Sequence, residues 1–142
     1  MKNKVDRILG WVLVVMLAVM TLDVLWGVFT RYVMANQASW SEELARFLLI
    51  WIGILGAAYA SGQRMHLSID LMDEKPVRLI AALIILFALA VMVVGGSRLV
   101  LLTAELGQTA PATGIPMSVV YSVVPLSGLL IIYYRLADLK SS

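Results

Sequence analysis

The sequence predicts an all-α membrane protein with four transmembrane helices. The first observation is composition: of 142 residues, 61% are hydrophobic and 14% are charged, whereas a soluble domain averages about 45–50% apolar and about 25% charged. The second is that the apolar residues fall in four runs of roughly 18–26 residues, each long enough to cross the hydrocarbon core as a helix. A chain this small has too little interior to bury this apolar surface. Most of the apolar surface therefore faces lipid or another membrane protein.

The runs place the helices in a single membrane domain over residues 1–142, at about residues 8–32, 41–63, 77–102 and 117–134. Membrane strands would show polar–apolar alternation, which these runs lack, and a helix satisfies its own backbone hydrogen bonds without water. Pro76 and Pro116 suit the first turns of the third and fourth helices. Pro125 is expected to kink the fourth helix, and Gly95 and Gly96 are expected to bend or thin the third.

The distribution of Lys and Arg predicts that both termini are cytoplasmic. The larger group is Lys2, Lys4, Arg7, Arg64, Lys75, Arg78, Arg135 and Lys140; the opposite side holds Arg31, Arg46 and Arg98. A cleaved signal peptide is the alternative for the first run, but its apolar core would be about 7–15 residues, shorter than this run.

Several function classes are disfavoured by residue content. The chain has no cysteine and one histidine, His66, so it offers no thiolate metal site and no bis-histidine haem site. His66 lies close to Asp70, but a metal needs more ligands than these two. The scattered basic residues argue against nucleic-acid binding. We therefore expect no enzyme activity, no cofactor and no metal.

The most informative stretch precedes the second helix. Ser39 and Glu42 have capping-box spacing, and Ser41 is another candidate N-cap. Glu42 and Arg46 are four residues apart and can pair on one helix face. The stretch, which includes Glu43, is therefore either a well-capped helix start or a polar patch that recognises a partner subunit.

Asp23 in the first helix is costly if it faces lipid. At the rise of an α-helix, Asp23 lies about 22 Å from the cytoplasmic end of the membrane span. By the same count, Arg46 lies at roughly 26 Å and Arg98 at about 31 Å. We expect Asp23 to bond Arg46 or a partner group at that depth, with Arg98 reaching it only by snorkelling. The functional alternative is a proton or cation site at Asp23, as in small multidrug exporters.

Small residues recur at four-residue spacing in the second helix, which allows a neighbouring helix to approach closely. This predicted close-packing face consists of Gly53, Gly56, Ala57, Ala60 and Ser61. The spacing fits contact within the chain and contact with a partner equally well.

Four segments together are similar to a known family. Trp40–Arg46, Ile50–Gly53, the His66–Asp70 loop and Gly114–Pro116 resemble, in order and spacing, the small membrane subunit (DctQ-type, or Q subunit) of TRAP (tripartite ATP-independent periplasmic) transporters. The resemblance implies a secondary importer of organic acids in the bacterial cytoplasmic (inner) membrane. It further implies a periplasmic substrate-binding protein and a large permease subunit that holds the substrate and sodium sites and moves as an elevator.

The resemblance gives the small subunit a bracing role and no substrate site. Its expected partners are the large (M-type) permease, the periplasmic binding protein and membrane lipids, without nucleic acid. An autonomous proton-coupled exporter with Asp23 titrating is the alternative, and an anchor for a respiratory or signalling complex is a third hypothesis. The candidate subunit-interface or structural polar residues are Asp23, Glu42, Glu43, Arg46, Trp51, His66, Asp70 and Arg98.

Overall fold

The computed structural model describes the backbone of residues 2–36, 38–68 and 74–141, and the side chains of residues 4–36, 38–63 and 79–137. The elements in chain order are α1 (Lys2–Tyr32), α2 (Ser39–Ser68), α3 (Glu74–Phe87), a π-helical segment (Ala88–Gly95), α4 (Gly96–Glu105), α5 (Met117–Tyr121) and α6 (Val123–Ser141).

Four stretches are long and apolar enough to cross a membrane, and they confirm the predicted fold class. They are Lys4–Tyr32, Ser39–Gln63, Leu79–Glu105 and Met117–Ala137. The third span joins α3, the π-helical segment and α4, and the fourth joins α5 and α6. The placement of both termini in the cytoplasm stays a prediction from the Lys and Arg distribution.

The helices extend beyond the apolar runs that predict them. α1 begins at Lys2 instead of near residue 8, and α2 continues to Ser68 instead of ending near residue 63. A run of apolar residues marks only the part of a helix that matches the hydrocarbon core. The flanking polar residues, such as Lys4 and Gln63, have good helix propensity and continue the helix past that part.

Glycine permits the close contact between the third and fourth spans. A Cβ at Gly128 would lie 2.8 Å from the Cβ of Met92, and a Cβ at Gly96 would lie 2.9 Å from Cγ1 of Val124. The predicted irregularity at Gly95–Gly96 coincides with the end of the π-helical segment at Gly95. Backbone proximity at these glycines is therefore what lets the two spans pack.

The fourth span is interrupted at Ser122, three residues before Pro125. Pro125 has no N–H, so the carbonyl of Tyr121 loses its usual helical donor. The Ser122 N–H keeps its ordinary helical acceptor, the Ser118 carbonyl at 3.1 Å, and also donates to the Val119 carbonyl at 3.3 Å. The break thus has a local cause in the sequence, as the position of Pro125 predicts.

Within the described residues, the main packing contacts between the spans run in a row. α1 packs against α2, α2 against α6, and α6 against the third span. The main buried cluster lies where the first, second and fourth spans meet, and its members are Leu9, Leu55, Val123 and Tyr134. The first span, at one edge of the row, exposes a long apolar face that includes Val15 and Leu22.

Candidate functional site

The most organised polar region lies at the end of the row where α1 ends and α2 begins, here called the loop end. It includes the α4–α5 loop, residues 106–116. Gly107 and Gly114 adopt φ of 59° and 71°, in the left-handed region that glycine enters without strain. The Ala110 N–H donates to the Ile115 carbonyl at 2.9 Å. The loop therefore has a defined internal structure.

Glu43 fastens this loop to the start of α2. Its Oε1 accepts the N–H of Ala112 at 2.9 Å, and its Oε2 accepts the N–H of Thr113 at 2.9 Å and the Thr113 hydroxyl at 3.0 Å. The Glu43 side chain is 9% exposed. Because both carboxylate oxygens are occupied by the loop, Glu43 joins two parts of this chain and is not offered to a partner.

Ser41 joins α2 to α1. Its hydroxyl donates to the carbonyl of Asp23 at 3.0 Å, and a Cβ at Gly27 would lie 3.1 Å from the Ser41 Oγ. Gly27 therefore leaves the space that Ser41 occupies. The interpretation of Ser41 as an N-cap is wrong, because α2 begins at Ser39 and Ser41 lies inside the helix.

Asp23 is buried, with 7% of its surface exposed, so it does not face lipid. Neither of its carboxylate oxygens has a hydrogen-bond partner within the described residues, so the predicted bond with Arg46 is not formed there. The physical reason is helical phase. Ser41 faces α1, and Arg46, five residues later, points about 140° around the helix from it. Arg46 is exposed.

The exposed face of α2 carries the rest of the predicted patch. Glu42 and Arg46 lie on this face, and an open groove of about 720 Å³ lies beside them. The groove runs between the start of α2, with Trp40, and Pro111 and Ala112 of the loop. Arg46 is also close enough to Glu43 to interact with its carboxylate electrostatically.

The predicted close-packing face divides between two environments. Within the described residues, apart from the adjacent backbone of α2 itself, no atom lies within 4 Å of a Cβ placed at Gly53 or at Gly56. In contrast, Ser61 accepts a hydrogen bond from Nη2 of Arg135 on α6 at 3.1 Å. The close contact inside the chain falls instead at Gly62, where a Cβ would lie 2.9 Å from the ring of Tyr134.

The remaining predicted residues fall in different places. Trp51 donates from Nε1 to the Val120 carbonyl at 3.0 Å, which ties α2 to α5. Arg98 is exposed on α4. Asp70 and the His66 side chain lie outside the described residues. Within the described part of the chain, no three potential metal ligands of the His, Cys, Asp or Glu type come together.

Sequence reasoning missed the loop as the partner of Glu43. Ala112 and Thr113 lie 69 and 70 residues further along the chain, and nothing in the local pattern places them against α2. The available signal was Gly114, since a glycine between polar and proline residues marks a structured turn. Even so, a turn signal does not identify what the turn binds.

The fold and this site define an all-helical, multi-pass membrane protein whose spans are joined by polar contacts. The chain belongs to the family described as tripartite ATP-independent periplasmic transporters, DctQ component, whose profile matches residues 20–142. It is therefore a small permease subunit of a TRAP transporter, located in the bacterial inner membrane. The resemblance inferred from the four sequence segments is confirmed.

Three relatives illustrate the match. A putative TRAP transporter small permease protein of Haemophilus influenzae is 25% identical over 134 residues, covering 89% of this chain and 82% of that protein. The sialic acid TRAP transporter small permease protein SiaQ of Vibrio cholerae is 33% identical over 87 residues, 61% of this chain and 48% of SiaQ. The isethionate TRAP transporter permease protein DctMQ of Oleidesulfovibrio alaskensis is 32% identical over 112 residues, 74% of this chain and 18% of DctMQ.

Proposed function

We propose that this chain is the accessory scaffold subunit of a sodium-coupled, binding-protein-dependent importer of organic acids. It braces a large elevator-type permease and carries no substrate site. The observation that supports this role best is the row of spans, α1 to α2 to α6 to the third span. A row presents more lateral surface to lipid and to a neighbour than a closed bundle of the same helices. A flat, wide body is suited to resist tilting while a neighbour moves.

The use of the polar side chains supports the same role. Trp51 ties α2 to α5, Glu43 ties α2 to the α4–α5 loop, and Arg135 ties α6 to α2. A transport site needs polar groups that are offered to the solute. The side chains of Trp51, Glu43 and Arg135 are instead hydrogen-bonded inside the chain, and these bonds fix the positions of the helices.

Asp23 also favours the accessory role over the autonomous exporter. Its two carboxylate oxygens are enclosed, each with almost no accessible surface. A titrating carboxylate in an exporter must exchange protons with at least one side of the membrane. In this arrangement Asp23 lacks such access, and its backbone carbonyl serves to bind Ser41.

The relatives support the partner and the class of cargo. The name DctMQ joins an M and a Q permease component in one chain, of which the matched segment is only 18%. The remainder of that chain is long enough for a large permease. Isethionate and sialic acid, in the names of two relatives, are both organic anions. We extend the large permease partner and the organic-acid cargo to this chain on that basis.

The test is reconstitution in proteoliposomes of the chain alone, the large permease of the same transporter, and both together. The organic acid bound to the accompanying binding protein is identified by mass spectrometry and used as labelled substrate. Uptake is expected only with both membrane subunits, the binding protein and an inward sodium gradient. Uptake by the chain alone, lost in Asp23→Asn, would contradict the proposal and favour the exporter.

A further inference from the structure

Arg98 is an exposed cation on the apolar surface of the third span. It lies on α4, seven residues before the helix ends at Glu105, which is about 10 Å along the helix axis. Bulky apolar side chains are exposed on both sides of it, since Val94 is 61% exposed and Leu101 is 62% exposed. The exposed apolar residues continue past Arg98 as far as Leu106. The guanidinium therefore lies within the apolar surface and not at its polar margin.

The Arg98 guanidinium has neither a hydrogen bond nor an ion pair within the part of the chain that the structure describes. Asp23, the buried carboxylate of the first span, lies where α1 meets α2, at the opposite edge of the row. Charged groups within a membrane span usually face protein or water and pair with another group. We therefore expect the counter-charge of Arg98 to come from another molecule.

A lipid phosphate is poorly placed to supply this counter-charge. The nearer headgroups lie at the loop end, beyond Glu105. The Cα–Cβ bond of a helical residue tilts toward the helix N-terminus, so the Arg98 side chain leaves the backbone toward the middle of the span. Seven residues also put Glu105 on the same side of α4 as Arg98. Its exposed carboxylate lies at the level that a phosphate would occupy and repels it.

A second copy of this chain does not supply the counter-charge through this face. Two copies that pair here about a two-fold axis normal to the membrane hold equal residues at equal depth. Arg98 then lies opposite Arg98, and the two cations repel each other. Glu105 of the other copy is about 10 Å away along the helix axis, well beyond the roughly 4 Å of an ion pair. A carboxylate on a different membrane protein complements Arg98 better.

We infer that the exposed face of α4 around Arg98 docks a membrane helix of the large permease, and that an Asp or Glu of that helix pairs with Arg98. Val94 and Leu101 pack against the same helix and keep water from the pair. A guanidinium can bind a carboxylate through two parallel N–H donors, which fixes the depth of one helix against the other. The inference rests on the proposed function, since it names the surface through which the scaffold holds the permease.

Crosslinking locates the contact. A photoactivatable side chain is placed at Val94 or at Leu101 in the complex with the large permease, and the crosslinked peptides are identified by mass spectrometry. Both positions are expected to crosslink to one permease helix that carries an Asp or Glu. Crosslinks to a helix without a carboxylate, crosslinks only to lipid or to a second copy of this chain, or none from an intact complex would each overturn the inference.

Substitution of Arg98 tests the ion pair. Arg98→Leu is expected to reduce the co-purified permease roughly tenfold or more, because it leaves the carboxylate of the permease without a counter-charge. The change breaks no bond within the described chain, so the melting temperature of the isolated chain is expected to be unchanged or higher. Arg31→Leu, at an exposed arginine in the last turn of α1, is the matched control and should retain the permease. An equal loss in both variants, or full retention in Arg98→Leu, would contradict the pair.

Charge reversal identifies the two members of the pair. Arg98→Glu is expected to reduce co-purification at least as much as Arg98→Leu, because two carboxylates then face each other. Changing the permease acid found by crosslinking to Arg should restore the complex with Arg98→Glu and weaken it with the wild-type chain. A permease variant that restores nothing would show that this acid is not the partner of Arg98.

These outcomes separate the inference from the proposed function. If the wild-type chain and the permease form no complex, the proposed function fails. If the complex forms and transports but tolerates Arg98→Leu, the scaffold role stands and the docking face is wrong.

Discussion

Thr113 is joined to Glu43 by two hydrogen bonds, from its backbone N–H at 2.9 Å and from its hydroxyl at 3.0 Å, both to Oε2. The other carboxylate oxygen accepts the N–H of Ala112. A carboxylate has enough acceptor positions for all three donors. The α4–α5 loop is thereby held against the first turns of α2, next to the groove beside Glu42 and Arg46.

Replacing Glu43 by Gln should loosen this loop. The amide of Gln has one acceptor oxygen, and its NH2 group opposes the donors of Ala112 and Thr113. Amide hydrogen exchange at Ala112 and Thr113 is expected to become about tenfold faster. Glu42→Gln, at an exposed position, is the matched control and should leave these rates unchanged. Unchanged exchange in Glu43→Gln would show that the carboxylate does not hold the loop.

Replacing Trp51 by Phe should weaken the link between α2 and α5. Phe keeps much of the apolar ring but cannot donate to the Val120 carbonyl, which Trp51 binds at 3.0 Å. The free energy of unfolding is expected to fall by about 1 kcal/mol, measured by reversible unfolding in detergent. Trp11→Phe, at a side chain that is 65% exposed, is the control. Equal effects of the two changes would mean that the Trp51 bond adds nothing.

Adding a methyl group at Gly128 should separate the third and fourth spans. The new Cβ would lie 2.8 Å from the Met92 Cβ and 3.3 Å from the Ala88 carbonyl oxygen, which cannot move freely. Gly128→Ala is expected to destabilise the chain by about 1–3 kcal/mol. Gly53→Ala, where the space is open, should be neutral or slightly stabilising through helix propensity. The same unfolding assay checks both, and a neutral Gly128→Ala would contradict the packing described.

Removing the ionisable group of Asp23 should be tolerated. Its carboxylate oxygens have no partner among the described residues, so the change breaks no bond, and a neutral side chain is easier to bury than a charge. We expect Asp23→Asn to match or exceed the wild-type melting temperature and to assemble normally with the permease. A clear loss of stability, in contrast, would reveal an ion pair that Asp23 makes in the assembled membrane.

Much of the fold follows from sequence because the bilayer imposes it. Helices of about 20 apolar residues are the economical way to cross the membrane, so the four spans, and the break near Pro125, could be read directly. The row arrangement could not. It depends on where Gly27, Gly62 and Gly128 meet side chains of other helices, and those contacts are distant in sequence.

The sequence predicted which residues belong to the candidate site but not which contacts they make. Glu42, Glu43 and Arg46 were singled out together, yet the structure uses Glu43 for the loop and leaves Glu42 and Arg46 on the exposed face. Depth arithmetic brought Asp23 and Arg46 to similar heights. It could not account for rotation about the helix axis, and that rotation decides which side chains meet.

The central claim, that this chain acts as a rigid brace, can be measured by locking its own helices. A Cβ at Gly27 would lie 4.0 Å from the Ser41 Cβ, within the range for a disulfide, and the chain has no other cysteine. Gly27→Cys combined with Ser41→Cys therefore joins α1 to α2 on oxidation. In the reconstituted complex, the rate of substrate uptake is predicted to be the same in the oxidised and reduced states. Uptake that stops on oxidation and returns on reduction would contradict the account, because transport would then require these helices to move.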